Sequence, residues 1–316
     1  MINRKMLGNL LLTLTALIWG TAFVFQRKGM ESIEPITFTS ARMALAAVAV
    51  GGVAVIFGKR EKTGKREKKG KREDIGKREE KDRRRNTVLG GVCCGAFLAA
   101  ASIFQQMGIV YTTAGKAGFI TAMYMILVPV IGFVLFHKNN TWLVWLAVVI
   151  GVAGMYLLCM TEGFTLTRGD TLVCICAVLF SGHILCIDYF VQRGDPIRIS
   201  AIQFVACSAI SAVAALILEE PTPGKIVSAA IPILYCGILS GGVGYTLQIV
   251  AQKYTDPTIA SLLMSLESVF AVIAGALLLH ERMTARELAG CVVMFIAILL
   301  VQIPLPEKRV RKMRSS

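Results

Sequence analysis

The sequence predicts an all-α integral membrane protein: ten transmembrane helices in two inverted five-helix repeats. Three observations predict it. The 316 residues have a mean hydropathy of +0.65 and are 55% hydrophobic. The apolar residues fall in long continuous blocks, where a soluble chain of this length would show amphipathic stretches. The two halves of the chain can also be laid on one another with polar residues in register. A β-barrel would need alternating segments of about ten residues, and these blocks are continuous.

The blocks run, in order, over roughly 7–26, 36–57, 88–109, 115–136, 141–160, 171–191, 199–218, 229–251, 258–279 and 287–303. At about 1.5 Å per residue, about 20 residues cross a hydrocarbon core of about 30 Å. No cleavable signal peptide is expected, because the first block is long and no small-residue cleavage site clearly follows it. Residues 1–57 and 87–160 form the expected first repeat and 161–303 the second. A charged cytosolic segment at 58–86 and a basic cytosolic tail at 304–316 lie outside the repeats.

The 58–86 segment contains GKRE four times at a six-residue period, at 58–61, 64–67, 70–73 and 76–79. It cannot bury a core and reads as a solvated, partly helical linker. Its basic excess also suits contact with anionic lipid headgroups. Nucleic acid is not an expected partner, since no aromatic side chain is interleaved with the charges. Lysine and arginine set orientation. With the N-terminus in the cytosol, 26 of them fall on inside segments and 7 outside, so both termini are expected in the cytosol. The expected location is the plasma or inner membrane.

The duplication shows at two offsets. Residues 16–41 align on 177–202 without a gap, and Pro35-Ile36 meets Pro196-Ile197. Farther on, Gln105 meets Gln248, Tyr111-Thr112 meets Tyr254-Thr255, Gly132 meets Gly275, His137 meets His280 and Thr141 meets Thr284. An expanded 58–86 segment accounts for the change of offset. Five spans per copy is odd, so the second copy enters the membrane inverted. Such pairs place a substrate site near the midplane, between the repeats.

Glu267 is the only ionisable residue between Thr258 and Leu279. A charge near the midplane costs roughly 2.5–3.5 kcal/mol on insertion scales. The turns flanking it carry Ala260, Ala271, Ala274 and Gly275, small residues that let helices approach, so Glu267 is expected to face the bundle. Its counterpart in the first repeat is Tyr124. Intramembrane acids mark proton relays or substrate contacts, and a protonated glutamate bonded to a neighbouring helix is the structural alternative. Gly241, Tyr245, Gln248 and Gln252 share one face of the eighth span, with Ser102 and Gln105 matching Tyr245 and Gln248 in the third. They read equally as a cavity lining or as interhelical hydrogen bonding. Glycines 241, 242 and 244 permit close approach or a kink. His183 lies mid-depth in the sixth span, either packed or carrying a coupling proton. Asp188 is expected to pair with Arg193. Arg42 either snorkels outward or binds an anionic group of a substrate. His137 and His280 read as span boundaries. The nine cysteines read as small packing residues, and no metal-ligand spacing accompanies them.

Trp19-Gly20, Pro35 and Arg42, AGKAGFITAMYMILVPVIG at 114–132, and LESVFAVIAGALLLHERMT at 266–284 resemble the drug/metabolite transporter superfamily, EamA type. The resemblance covers nearly the whole chain outside 58–86. It implies a ten-helix carrier that moves small metabolites, amino acids and related compounds among them, often outward. Ser268 stands where the family often has proline, and His137-Lys138 where it usually has an acidic residue. The substrate and coupling candidates are Glu267, Gln248, Tyr245, Tyr124, Gln105, His183 and Arg42. No cofactor, catalytic residue or metal ligand is expected, and the chain reads as a carrier rather than an enzyme. The alternatives are a membrane-embedded lipid-processing enzyme, which needs clustered acid, base and nucleophile, and a passive channel, which needs rings of charge or carbonyls. An ATP-driven pump is not expected, since there is no GxxxxGK[ST] motif and no soluble domain to hold it.

The orientation is testable. A Gly70→Cys variant, in a background without the native cysteines, should react with an impermeant maleimide only after cells are opened. Labelling on intact cells would invert the topology.

Overall fold

The computed structural model describes residues 4–66, 73–138, 140–159, 167–280 and 284–302. Among them there are helices and no strands. Helices α1 (Arg4–Gly29), α2 (Pro35–Arg66) and α3 (Glu73–Ile109) are followed by α4 (Ala114–Thr121), α5 (Tyr124–Phe136) and α6 (Trp142–Cys159). Then come α7 (Arg168–Val191), α8 (Pro196–Leu218), the short α9 (Pro223–Ser228) and α10 (Ala230–Leu234). A π-helical segment at Tyr235–Tyr245 leads into α11 (Thr246–Gln252), α12 (Pro257–Met264), α13 (Leu266–Leu278) and α14 (Ala285–Gln302).

Among the described residues, seven stretches are long and apolar enough to cross a membrane, where ten were expected of the whole chain. Three of the seven are composite: α4 with α5, α10 through α11, and α12 with α13. The other expected blocks fall on α2, α6 and α14, each of which runs partly over residues whose side chains are outside the described set. Helices α2 and α3 extend into the GKRE segment to Arg66 and from Glu73. Residues 67–72 and the 304–316 tail lie outside the described residues.

Local chemistry sets the helix ends. Thr113 caps α4 by accepting from the Lys116 amide. Thr167 and Asp170 form a reciprocal capping box on α7. Asp195 and Asp256 cap α8 and α12, each with proline at the first helical position. The cap of α2 comes from afar: both carboxylate oxygens of Glu219, at the end of α8, accept from the Ile36 and Thr37 amides at 2.9 and 2.7 Å. His137 and His280 end α5 and the α13 region in the left-handed conformation, at φ 50° and 56°. They are the two non-glycine residues with positive φ among those described. The boundary reading of these histidines thus corresponds to a specific turn geometry.

Two expected helices are broken, and the breaks lie at matching places. The fourth span divides at Ala122-Met123 and the ninth at Ser265. Serine chemistry makes the second break without a proline. Ser261, Ser265 and Ser268 each turn the hydroxyl back on the carbonyl three residues earlier, at 2.7–2.8 Å. In the eighth span, the glycines permit the widened π turn, whose carbonyls become available to side chains of α1. Trp19 Nε1 donates to the Ser240 carbonyl at 3.1 Å, and Thr15 Oγ1, which donates to the Leu11 carbonyl at 2.9 Å, lies 3.3 Å from that of Gly244.

Helix α2 packs along α8, α3 lies against both α7 and α8, and α6 against α14. Helix α1 is held by α13, the π segment and α11, while α7 is held by α3, α5 and α4. Apolar side chains such as Val48, Val149, Leu216, Ile217 and Leu277 project outward, as lipid requires. Helices α1 and α13 meet closely at Gly20, where an added Cβ would come within 2.4 Å of Phe270 Cβ and 2.6 Å of the Glu267 carbonyl.

Ion pairs mark the two ends of the bundle. Glu34 and Lys225 pair beside the Glu219 cap, and this bond to Lys225 holds the Glu34 carboxyl below its ordinary range. At the other end of α8, Asp195 meets Arg83 at 3.6 Å and its amide donates to Thr87. Asp188 pairs with Lys138 at 2.7 Å. The expected partner, Arg193, instead stacks on Tyr189 and donates to the Tyr189 carbonyl. A local i,i+5 pairing loses here because residues five apart do not share a helix face.

Gly20→Val should force α1 from α13 and cost at least the ~1–3 kcal/mol typical of overpacking. It should be read as a lower melting temperature in detergent. Gly132→Ala, whose Cβ would meet nothing within 4 Å, should leave the melting temperature unchanged.

Candidate functional site

The two helix breaks place one side chain each at the centre of the bundle. Tyr124 is the first residue of α5 and Glu267 lies in the first turn of α13. Each is only 2% exposed. The Tyr124 hydroxyl donates to Glu267 Oε1 at 2.8 Å, linking residues 143 apart. The positive end of the α13 dipole favours an acidic side chain at this position.

Around this bond lies a small cavity, partly open to the outside. Its polar lining is Gln26, Arg42, Gln105, Thr121, Tyr124, Ser240, Tyr245, Gln248 and Glu267, and its apolar lining is Trp19, Phe23, Phe180 and Ile184. Six of the seven residues singled out from the sequence therefore face one space: Glu267, Gln248, Tyr245, Tyr124, Gln105 and Arg42. His183 does not. It is fully buried behind Tyr245, ring centroids 5.9 Å apart, with Nε2 3.1 Å from Gln203 Oε1.

The lining contains both satisfied and unsatisfied groups. Gln105 Nε2 donates to Thr121 Oγ1 at 3.2 Å. Trp19 lies against Tyr245, ring centroids 4.5 Å apart, and its indole N–H is engaged by Ser240. Gly244 makes room for this ring, since a Cβ there would come 2.6 Å from Trp19 Nε1. Gln26 Oε1 and Gln248 Oε1 are buried without hydrogen-bond partners. So are Arg42 Nε and Nη2. Arg42 is 2% exposed, its guanidinium 5.7 Å from the Phe38 ring. It does not snorkel: the small-residue contact between α2 and the π segment, with Gly237 close to the Arg42 carbonyl, keeps it inside.

Trp19, Phe23, Gln26, Thr121, Phe180 and Ser240 were not among the sequence candidates. Gln26 closes the first apolar block and reads there as its polar edge. Thr121 reads as a weakly polar residue inside the fourth. Only their meeting in three dimensions makes them a lining. The last polar candidate, Gln252, is buried but turned away, donating to the Ile184 carbonyl at 3.0 Å. Chemically, the lining presents aromatic walls, donors and acceptors without internal partners, and one acid bonded to a phenol.

Comparisons with known proteins now bear on this geometry. A transporter from Archaeoglobus fulgidus, described as uncharacterized, is 28% identical over 305 residues, covering 95% of this chain and 87% of the relative. The uncharacterized transporter YcxC of Bacillus subtilis is 24% identical, covering 94% and 93%. A solved crystal structure matches with a TM-score of 0.71 at 14% identity, covering 93% of this chain and 96% of that one, which speaks to the fold alone. The model of the EamA-like transporter family matches twice, over residues 6–160 and 167–303. With nearly its whole length matched, the chain is a multi-pass membrane protein that belongs to the EamA-like transporter family.

Proposed function

We propose that this transporter is a secondary carrier built as two inverted repeats of five transmembrane helices, both termini in the cytosol. It exports a small metabolite, of the amino-acid or related class, across the plasma or inner membrane by alternating access. One observation carries the reading: Tyr124 and Glu267, counterparts in the internal alignment, follow matching helix breaks and bond to each other inside the cavity. Supporting it, His137 and His280 repeat the same left-handed cap 143 residues apart. Neighbour relations also exchange between halves: α3 on α7 answers the π segment on α1, α4 on α7 answers α12 on α1, and α5 on α7 answers α13 on α1. An inverted pair produces such exchange, with the shared axis running through the site.

In this reading Glu267 carries the coupling proton. A carboxylate at this depth costs several kcal/mol unless it is paired or protonated. Exchange of its proton as the cavity changes sides therefore couples proton movement to cargo movement. Tyr124 holds the carboxyl in place and is a positioning residue for it.

Metabolite profiling inside and outside cells that make the protein tests this reading. A metabolite should build up outside with the native chain and not with Glu267→Gln. Tyr124→Phe, which removes a hydrogen bond to an ionisable group, should slow export roughly tenfold or more and shift its pH dependence. Export by Glu267→Gln at the native rate and pH dependence would end the coupling role. No difference in any metabolite would overturn the carrier.

A further inference from the structure

We propose that Arg42 anchors a carboxylate of the cargo, through the edge of its guanidinium formed by Nε and Nη2. The inference rests on the carrier reading and names the chemistry its cavity selects. Three observations support it. First, Arg42 is 2% exposed and faces the cavity, and none of the four ion pairs among the described residues involves it. A buried cation without a counter-charge is held in a fold at substantial cost. The nearby Phe38 ring, at 5.7 Å, is only a partial substitute for an anion.

Second, the two buried nitrogens without partners are Nε and Nη2. Their N–H bonds point in parallel from one edge of the planar group, at the spacing of the two oxygens of a carboxylate.

Third, the rest of the cavity complements an acid of a particular kind. Trp19, Phe23 and Phe180 provide an apolar wall. Gln26 Oε1 and Gln248 Oε1 are buried acceptors without donors, so they suit an ammonium, amide or hydroxyl on the same molecule. Glu267 lines the same cavity but makes no ion pair with Arg42, and its Oε1 accepts from Tyr124. The cargo class is thus a carboxylate with an apolar body and at least one hydrogen-bond donor.

The test compares acids with their own amides on the intact protein in detergent, read by melting temperature and by equilibrium dialysis. The probes are leucine, phenylalanine, 4-methylvalerate and 3-phenylpropionate, each beside the corresponding primary amide, with inorganic phosphate and sulfate as other anions. At least one acid should raise the melting temperature while its amide does not. Arg42→Lys, which keeps the charge and loses the fork, should bind that acid roughly tenfold or more weakly, and Arg42→Gln should not bind it. Equal shifts from acid and amide, no shift from any acid, a response to phosphate or sulfate alone, or binding that survives Arg42→Gln would each overturn the assignment. If Arg42→Gln does not fold, the acid-amide comparison on the native chain decides alone. Binding is read apart from flux. Acid binding without any transport in liposomes would overturn the carrier and leave the anchor standing. Transport of a cargo lacking a carboxylate would do the reverse.

Discussion

The hydrogen bond between Tyr124 and Glu267 ties the two halves of the chain at their centre. In a lipid environment polar groups must be satisfied within the protein, so a buried acid dictates what surrounds it. Here the acid sits at the start of one half-helix and its phenol partner at the start of another. Both helix breaks, and the serine turns that stabilise the second, exist in the bundle where those two side chains must project inward. The close approach of α1 to α13 at Gly20 seals the same region from one side. The π segment seals it from another, lending the Ser240 carbonyl to Trp19.

The interactions at the two ends of the bundle differ in kind from those at its centre. One end is joined by Glu34 with Lys225 and by Glu219 on the first turn of α2. The other is joined by Arg83 and Thr87 on Asp195. Both sets link the first half of the chain to the second, at opposite ends of α8, whose 23 residues extend about 34 Å. They are partly exposed, so solvent screens them and each contributes little to stability. The Glu34 carboxylate, held below its ordinary range by Lys225, stabilises its end above its unfolded value, and that contribution is lost as pH falls through the folded one. Weak contacts at the ends and a tighter polar cluster between them suit a molecule that opens at either end while its halves stay joined at the middle. That is the mechanical requirement of the carrier proposed above.

Much of this was legible from residues alone, and the reasons differ by feature. Apolar blocks are readable because lipid enforces them along the whole length of a helix. The polar identities Gln105 with Gln248 and His137 with His280 mark the duplication, because shared polar residues in an apolar chain are hard to match by chance. Six candidate site residues meet in one cavity for a related reason: a polar side chain deep in a span needs other polar groups nearby. The breaks were less legible. Ser265 and Ser268 carry no proline signal, and their turns depend on hydroxyl rotamers. The partner of Asp188 was hidden because Lys138 reaches it from the turn after α5, 50 residues away. The direction of Arg42 was undecided between lipid surface and interior until the packing of α2 against the π segment was known.

The most direct test of a molecule hinged at its centre is a pair of distances measured together. Spin labels at Glu31 and Thr222 report on one end, and labels at Arg85 and Arg198 on the other. Lowering the pH, or replacing Glu267 with glutamine, should widen one distance while the other narrows, with the two populations exchanging in proportion. Two distances that change together, or that stay fixed while pH and residue 267 are varied, would contradict alternating access about the Tyr124–Glu267 bond.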